Sequence, residues 1–156
     1  MIYVLLKLAH VVGATVIFGT GSGIAFFMLM AHLSGDVAFI GRTARVVVIA
    51  DMVFTATAVA LQPITGWILM RQTGAAFSDG WIEASLALYL IAGVFWLPVV
   101  WMQARMRDLA LAATAAGNSL PAEYHRLFRT WFLFGIPGFG AVLAILYLMI
   151  AKPVLF

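Results

Sequence analysis

The residue of this sequence most suited to chemistry is His10, which lies inside an apolar stretch from Met1 to Leu33. A helix rises about 1.5 Å per residue, so a membrane-spanning helix here would hold the imidazole roughly 12 Å below the nearer membrane surface. An ionisable side chain at that depth costs free energy unless a cofactor, a metal or a polar partner satisfies it. We therefore interpret His10 as a ligand or a proton-handling group.

The helical face that carries His10 also carries Lys7, one turn nearer the surface, and the small residue Gly13. Counting to the same depth along the other apolar stretches gives the residues at the level of His10 as Gln62, Thr65, Tyr89 and Leu143. No second histidine or methionine falls at this level. A haem bound to His10 would therefore be five-coordinate, or its sixth ligand would be an oxygen or amine such as that of Tyr89 or Lys7. The third alternative is that two copies of the chain share the haem.

Composition indicates an integral membrane protein. Of the 156 residues, 65% are hydrophobic and only 10% are charged, whereas about a quarter of the residues of a soluble protein are charged. The sequence predicts an all-α fold, a four-helix transmembrane bundle in which residues 1–156 form a single domain. The predicted helices cover residues 2–33, 43–70, 81–106 and 128–150. The absence of cysteine excludes disulfides and thiolate metal sites, and no basic stripe indicates nucleic-acid binding.

Basic residues orient the predicted bundle. Those after the first and third apolar stretches are Arg42, Arg45, Arg105, Arg107, Arg126 and Arg129. The opposite side has only Lys7, Arg71 and Lys152. Because basic loops stay in the cytoplasm, both termini are predicted to lie on the non-cytoplasmic side.

Asp51 is a second ionisable residue inside a predicted span, about 12 Å from the cytoplasmic surface. A lone carboxyl group at this depth would be protonated or hydrogen-bonded, so Asp51 is a candidate proton relay. The alternative interpretation is a neutral side chain that bonds to Ser22 or Gln103 and holds two helices together.

Methionine and histidine also recur near the predicted cytoplasmic end. Met28 and His32 share a helical face, as do Met102 and Met106, and His125 follows in the fourth helix region. Thioether and imidazole groups suit Cu(I). Methionine is nevertheless a common filler of helix interfaces, so packing is the favoured interpretation.

Gly19 and Gly23 of the first helix have the spacing that lets two helices approach closely. Packing within the bundle explains them most simply. The same glycines would also admit a flat macrocycle between helices, or form the contact of a homodimer that brings two copies of His10 together.

Many of these residues resemble a bacterial family of predicted integral membrane proteins with no assigned function. The resemblance rests on Lys7, His10, Gly13, Gln62, Pro63, Thr65, Gly66, Tyr89, Trp96, Pro98, Tyr147, Lys152 and Pro153. That family is similar in turn to the superfamily of copper-resistance protein D and the membrane-bound protoporphyrinogen IX oxidase. In that superfamily, a first-helix histidine in the same Lys-x-x-His-x-x-Gly setting is associated with haem.

The resemblance implies a haem b-binding protein of the bacterial inner membrane with a redox or haem-linked role, such as a membrane oxidoreductase. His10 would be the axial ligand of the haem iron, with Lys7, Gly13, Gln62 and Tyr89 around the cofactor. The oxidase has a lysine shortly after a Gly-Trp pair, but that position here is about Ser85. The alternative expectation is a cofactor-free transport or accessory subunit that handles protons or copper; the sequence indicates no redox partner.

Overall fold

The computed structural model describes residues 1–155, and every regular element in that range is helical. The elements are α1 (Ile2–Ser34), α2 (Val37–Ala50), a π-helical turn (Asp51–Thr55), α3 (Ala56–Thr73), α4 (Gly80–Ala115) and α5 (Ala122–Ala151). Because α2, the π turn and α3 are continuous, the chain has four helical spans that are long and apolar enough to cross a membrane. This confirms the predicted four-helix fold.

The connections between the spans divide the bundle into two ends. The loop end carries the α1–α2 and α4–α5 connections. The terminal end carries the α3–α4 connection, the beginning of α1 and the end of α5. At the loop end, Gly35 adopts a left-handed conformation with φ 69°. Asp36 then begins α2, because its side chain accepts a hydrogen bond from the amide of Phe39 at 3.0 Å.

Three predicted helix boundaries at the loop end are wrong by several residues. The second span begins at Val37 and not at residue 43, α4 ends at Ala115 and not at residue 106, and α5 begins at Ala122 and not at residue 128. The buried residues that extend these apolar faces include Ile40, Ala44, Met106, Ala110 and Tyr124. The helices are therefore longer than the membrane is thick: the 36 residues of α4 measure about 54 Å against a hydrocarbon core of about 30 Å.

The π turn is where the second span changes its neighbour. Before the turn α2 packs against both α4 and α1, whereas after it α3 packs mainly against α1. The hydrophobic core accordingly lies at the loop end, where side chains of α1, α2, α4 and α5 meet. Towards the terminal end, α1 with α3 and α4 with α5 are the closely packed pairs. His10 lies in the first of these pairs.

Candidate functional site

The His10 imidazole is held by a hydrogen bond between α1 and α3. Its Nδ1 lies 2.7 Å from the Thr65 hydroxyl oxygen, and that hydroxyl donates to the Leu61 carbonyl at 2.9 Å. A threonine hydroxyl has one proton, so when it donates to Leu61 its oxygen accepts from His10, and the ring proton then lies on Nδ1. Nε2 of His10 then carries a lone pair and has no hydrogen-bond partner among residues 1–155.

The backbone of His10 is held as well. The side-chain amide of Gln62 donates to the His10 carbonyl at 2.8 Å. This approach requires glycine at residue 13, because a Cβ atom there would lie 2.7 Å from Nε2 of Gln62. Gln62 therefore locks the position of α1 relative to α3 one helical turn from Gly13.

Gly66 provides the space for the imidazole on α3. A Cβ atom at this position would lie 3.2 Å from Cε1 of His10, a contact that would push the ring away. With glycine, the imidazole rests against the α3 backbone beside Thr65. The structure thus brings Gln62 and Thr65, two of the four residues given by the depth count, to His10, with Gly13 beside the Gln62 amide, and adds Gly66 as a residue that sets the orientation of the ring.

Tyr89 and Lys7 do not contact His10 through hydrogen bonds in the described part of the chain. The Tyr89 hydroxyl donates to the Val59 carbonyl, about one helical turn from Gln62, and so joins α4 to α3 but already has a partner. Lys7 is exposed and is in neither ion pair observed within residues 1–155, which are Arg105–Glu123 and Arg107–Asp108. Neither side chain has a hydrogen bond to His10 in the described part of the chain.

Asp51 is buried at the first residue of the π turn, with 3% of its surface exposed. The Trp96 indole donates to Oδ1 over a long 3.4 Å. The side-chain amide of Gln103 has one orientation in which its nitrogen and its oxygen both form hydrogen bonds. In that orientation the nitrogen donates to Oδ2 of Asp51 at 3.1 Å, and the oxygen accepts from the Trp131 indole at 3.1 Å. The sequence had offered Gln103 and Ser22 as partners; the Ser22 hydroxyl instead donates to Phe18 in its own helix.

The π turn itself had no signal in the periodicity of the sequence. Turns of this kind occur frequently at functional sites, because an inserted residue changes the direction of side chains and of the helix. Here it coincides with a buried carboxyl group that has no cation partner within residues 1–155. This coincidence makes Asp51 the second candidate functional residue.

A family model described as a predicted integral membrane protein, DUF2269, matches residues 4–153. The chain belongs to this family. Neither the curated proteins nor the solved structures that were compared gave a match. DUF2269 membership supports the membrane character of the fold, and its description specifies no activity.

Ser85 of this DUF2269 protein is the residue that the resemblance described above compares with the lysine of the oxidase. Ser85 is buried, with 4% of its surface exposed, and its hydroxyl donates to the Trp81 carbonyl at 2.6 Å. The position is part of a packed helix, and no charged group stands there. The departure from the oxidase pattern therefore remains, while the surroundings of His10 are independent of it.

Proposed function

We propose that the protein binds haem b through Nε2 of His10. The observation that supports this proposal is the hydrogen-bond chain from His10 through Thr65 to Leu61, which leaves the Nε2 lone pair available. Histidines that ligate metals generally donate their other ring N–H to an oxygen acceptor, which fixes the tautomer and the ring orientation. The residues present therefore fit an axial ligand of haem iron.

Each residue of the site has a distinct role in this proposal. Thr65 orients the imidazole, Gln62 fixes its backbone, and Gly13 and Gly66 leave room for both contacts. Lys7, one turn nearer the terminal end, would pair with a propionate. Bound haem would supply one-electron chemistry, for redox transfer or a haem-linked reaction. The test is the purified protein itself, which should show a Soret band; a colourless protein would contradict the proposal.

We further propose that the second axial ligand comes from a second copy of the chain. Gly19 and Gly23 lie on the side of α1 opposite to His10, whereas Gly21, about three helical turns from His10, lies on the same side and has open space where a side chain would extend. A dimer through this face would bring two copies of His10 together. We expect a low-spin haem spectrum together with a dimeric mass in detergent. A high-spin spectrum from a monomer would contradict sharing.

The second candidate function is proton handling without a cofactor, and the buried carboxyl of Asp51 at the π turn supports it. A charged group in a membrane interior is costly unless paired, so we propose that this carboxyl carries a proton that it can exchange. Replacement by asparagine should abolish proton flux in liposomes, measured with a pH-sensitive dye. Glu83→Gln, an exposed carboxyl on α4, is the matched control. Equal flux from Asp51→Asn and wild type would exclude the relay.

We also propose that the loop end faces the cytoplasm of a bacterial inner membrane, because the six arginines described above lie there. A reporter that is active only in the cytoplasm should be active when inserted at Asn118, in the α4–α5 connection. The same reporter fused after Lys152 of a truncated chain should be inactive. The opposite pattern would reverse the orientation.

A further inference from the structure

A pocket of about 240 Å³ lies at the terminal end, between the start of α4 and the end of α5. Its walls are residues 78–81 and 152–155, and they include one carboxyl side chain, Asp79, and one ammonium side chain, Lys152. Neither belongs to the two ion pairs observed within residues 1–155. Two opposite charges therefore line one pocket without pairing with each other.

The backbone and an aromatic ring position Lys152 in this pocket. α5 ends at Lys152, which adopts a left-handed conformation with φ 43° and ψ 53°. It is the one non-glycine residue with positive φ among residues 1–155. This conformation is unfavourable for a residue with a side chain and is found most often at functional sites.

The ammonium nitrogen of Lys152 lies 5.3 Å from the centroid of the Trp81 ring. The face of an indole ring attracts a cation and so holds it at the wall of the pocket. The ring face has no lone pair, so the three N–H groups of the ammonium remain available to an acceptor in the pocket.

Asp79 is held on the opposite side of the same pocket. It is the residue before α4, but its side chain forms no hydrogen bond to the first turn of that helix. Its Oδ2 instead accepts from the Ala76 amide at 3.2 Å. This bond fixes the carboxylate within the α3–α4 connection and leaves Oδ1 available to a donor.

The surroundings of the pocket indicate that it lies at the membrane surface. Tryptophan concentrates where the lipid head groups meet the hydrocarbon, and Trp81 forms part of the pocket wall. Two apolar side chains beside it are exposed, Phe77 at 56% and Ile150 at 83%. A lipid head group can therefore enter the pocket while its acyl chains lie along the apolar surface of α5.

We propose that this pocket binds the head group of phosphatidylethanolamine. The phosphate accepts hydrogen bonds from Lys152, and the ethanolamine ammonium donates to Asp79. A volume of about 240 Å³ corresponds to about eight water molecules at roughly 30 Å³ each, and a phosphoethanolamine group has a comparable number of non-hydrogen atoms. The pocket thus has space for the head group and a polar partner for each of its charges.

Other common head groups match only one of the two charges. Phosphatidylglycerol has the phosphate but no cation, so it would leave Asp79 beside an anion. Phosphatidylcholine has a cation whose methyl groups replace the N–H donors. The proposal does not depend on haem or on Asp51, and His10→Ala should leave lipid binding unchanged.

The direct test is titration calorimetry of the purified full-length protein in detergent with the dioctanoyl forms of these three phospholipids. We expect phosphatidylethanolamine to bind about tenfold more tightly than the other two, because a hydrogen bond between charged groups is lost in each of them. Inorganic phosphate at the same concentration should not compete, since it has neither the ammonium nor the acyl chains.

Two variants separate the contributions of the two charges. Asp79→Asn keeps an acceptor for the Ala76 amide, so it should fold normally. It should raise the Kd for phosphatidylethanolamine about tenfold and leave that for phosphatidylglycerol no weaker, which a general loss of structure would not do. Lys152→Gln should weaken all three lipids about tenfold, because each contains a phosphate.

Glu83→Gln and Arg71→Gln are the matched controls, since each removes a charge at the terminal end from a side chain that does not line the pocket. Arg71 also lies over an indole ring, 5.9 Å from the centroid of Trp67. Both controls should bind as the wild type does. Equal Kd values for the three lipids, or wild-type affinity in both Asp79→Asn and Lys152→Gln, would overturn the proposal. So would displacement of the lipid by inorganic phosphate, which would assign the pocket to a soluble anion.

Discussion

Replacing His10 by alanine should remove the Soret absorption of the purified protein, with haem content reduced at least about tenfold. Ligation depends on the lone pair of one nitrogen, Nε2, which no hydrogen bond within residues 1–155 engages. Membrane insertion depends instead on the summed apolarity of the four spans, which one substitution hardly changes. The variant should therefore reach the membrane in normal amount. Absorption spectra normalised to protein concentration provide the measurement.

His125→Ala is the matched control for His10→Ala. His125 is exposed at the loop end, where its ring lies 5.8 Å from that of His32. We expect His125→Ala to keep its haem spectrum. If His10→Ala kept the Soret band while His125→Ala lost it, the haem would lie at the loop end and the role proposed for His10 would be wrong.

The level of the site within the bundle could be predicted from the sequence because helix rise is nearly constant. Eight residues of rise place His10 at the depth of Gln62 and Thr65, and in the structure Thr65 bonds to the His10 imidazole and Gln62 to the His10 carbonyl. The contact with Gly66 could not be predicted in this way. It depends on the rotation of α3 about its axis, which is set by packing against α1 and not by the hydrophobic pattern of α3.

The helix boundaries at the loop end are harder to predict from the sequence, because charged residues there interrupt the apolar stretches while the helices continue. Arg42 and Arg45 lie on an exposed face of α2, while Ile40 and Ala44 are buried on the opposite face. An amphipathic helix that extends beyond the membrane has charged residues on its exposed face and apolar residues on its buried face. Charged residues therefore mark where the helices leave the hydrocarbon, and not where they end.

The π turn at Asp51 shows a different limit of the sequence pattern. One inserted residue in a helix changes no local composition, since Asp51–Thr55 remains as apolar as its surroundings apart from the carboxyl and hydroxyl groups. Its effect appears only in the packing, where the second span loses its close packing against α4 and stays against α1. The change of neighbour places Asp51 beside α4 and Thr65 beside α1.

Replacing Thr65 by valine should weaken haem binding by about 10 to 100-fold, the range found when partners of metal-ligating histidines are removed. Valine has nearly the same shape, so the packing of α3 against α1 should persist. The Nδ1 proton would lose its acceptor, and the imidazole would be free to rotate or to place its proton on Nε2. Either change removes the lone pair from the position that Thr65 gives it. Haem titration of the purified variant measures the affinity.

Thr57→Val provides the control for this substitution, since Thr57 is an exposed threonine in the same helix. Both variants replace a threonine of α3 by valine, so any loss of helix propensity is common to both, and only Thr65 has a hydroxyl bonded to His10. We expect Thr57→Val to bind haem as the wild type does. Equal haem affinity of Thr65→Val and Thr57→Val would show that His10 needs no orienting partner, and the proposed ligand would then rest on the imidazole alone.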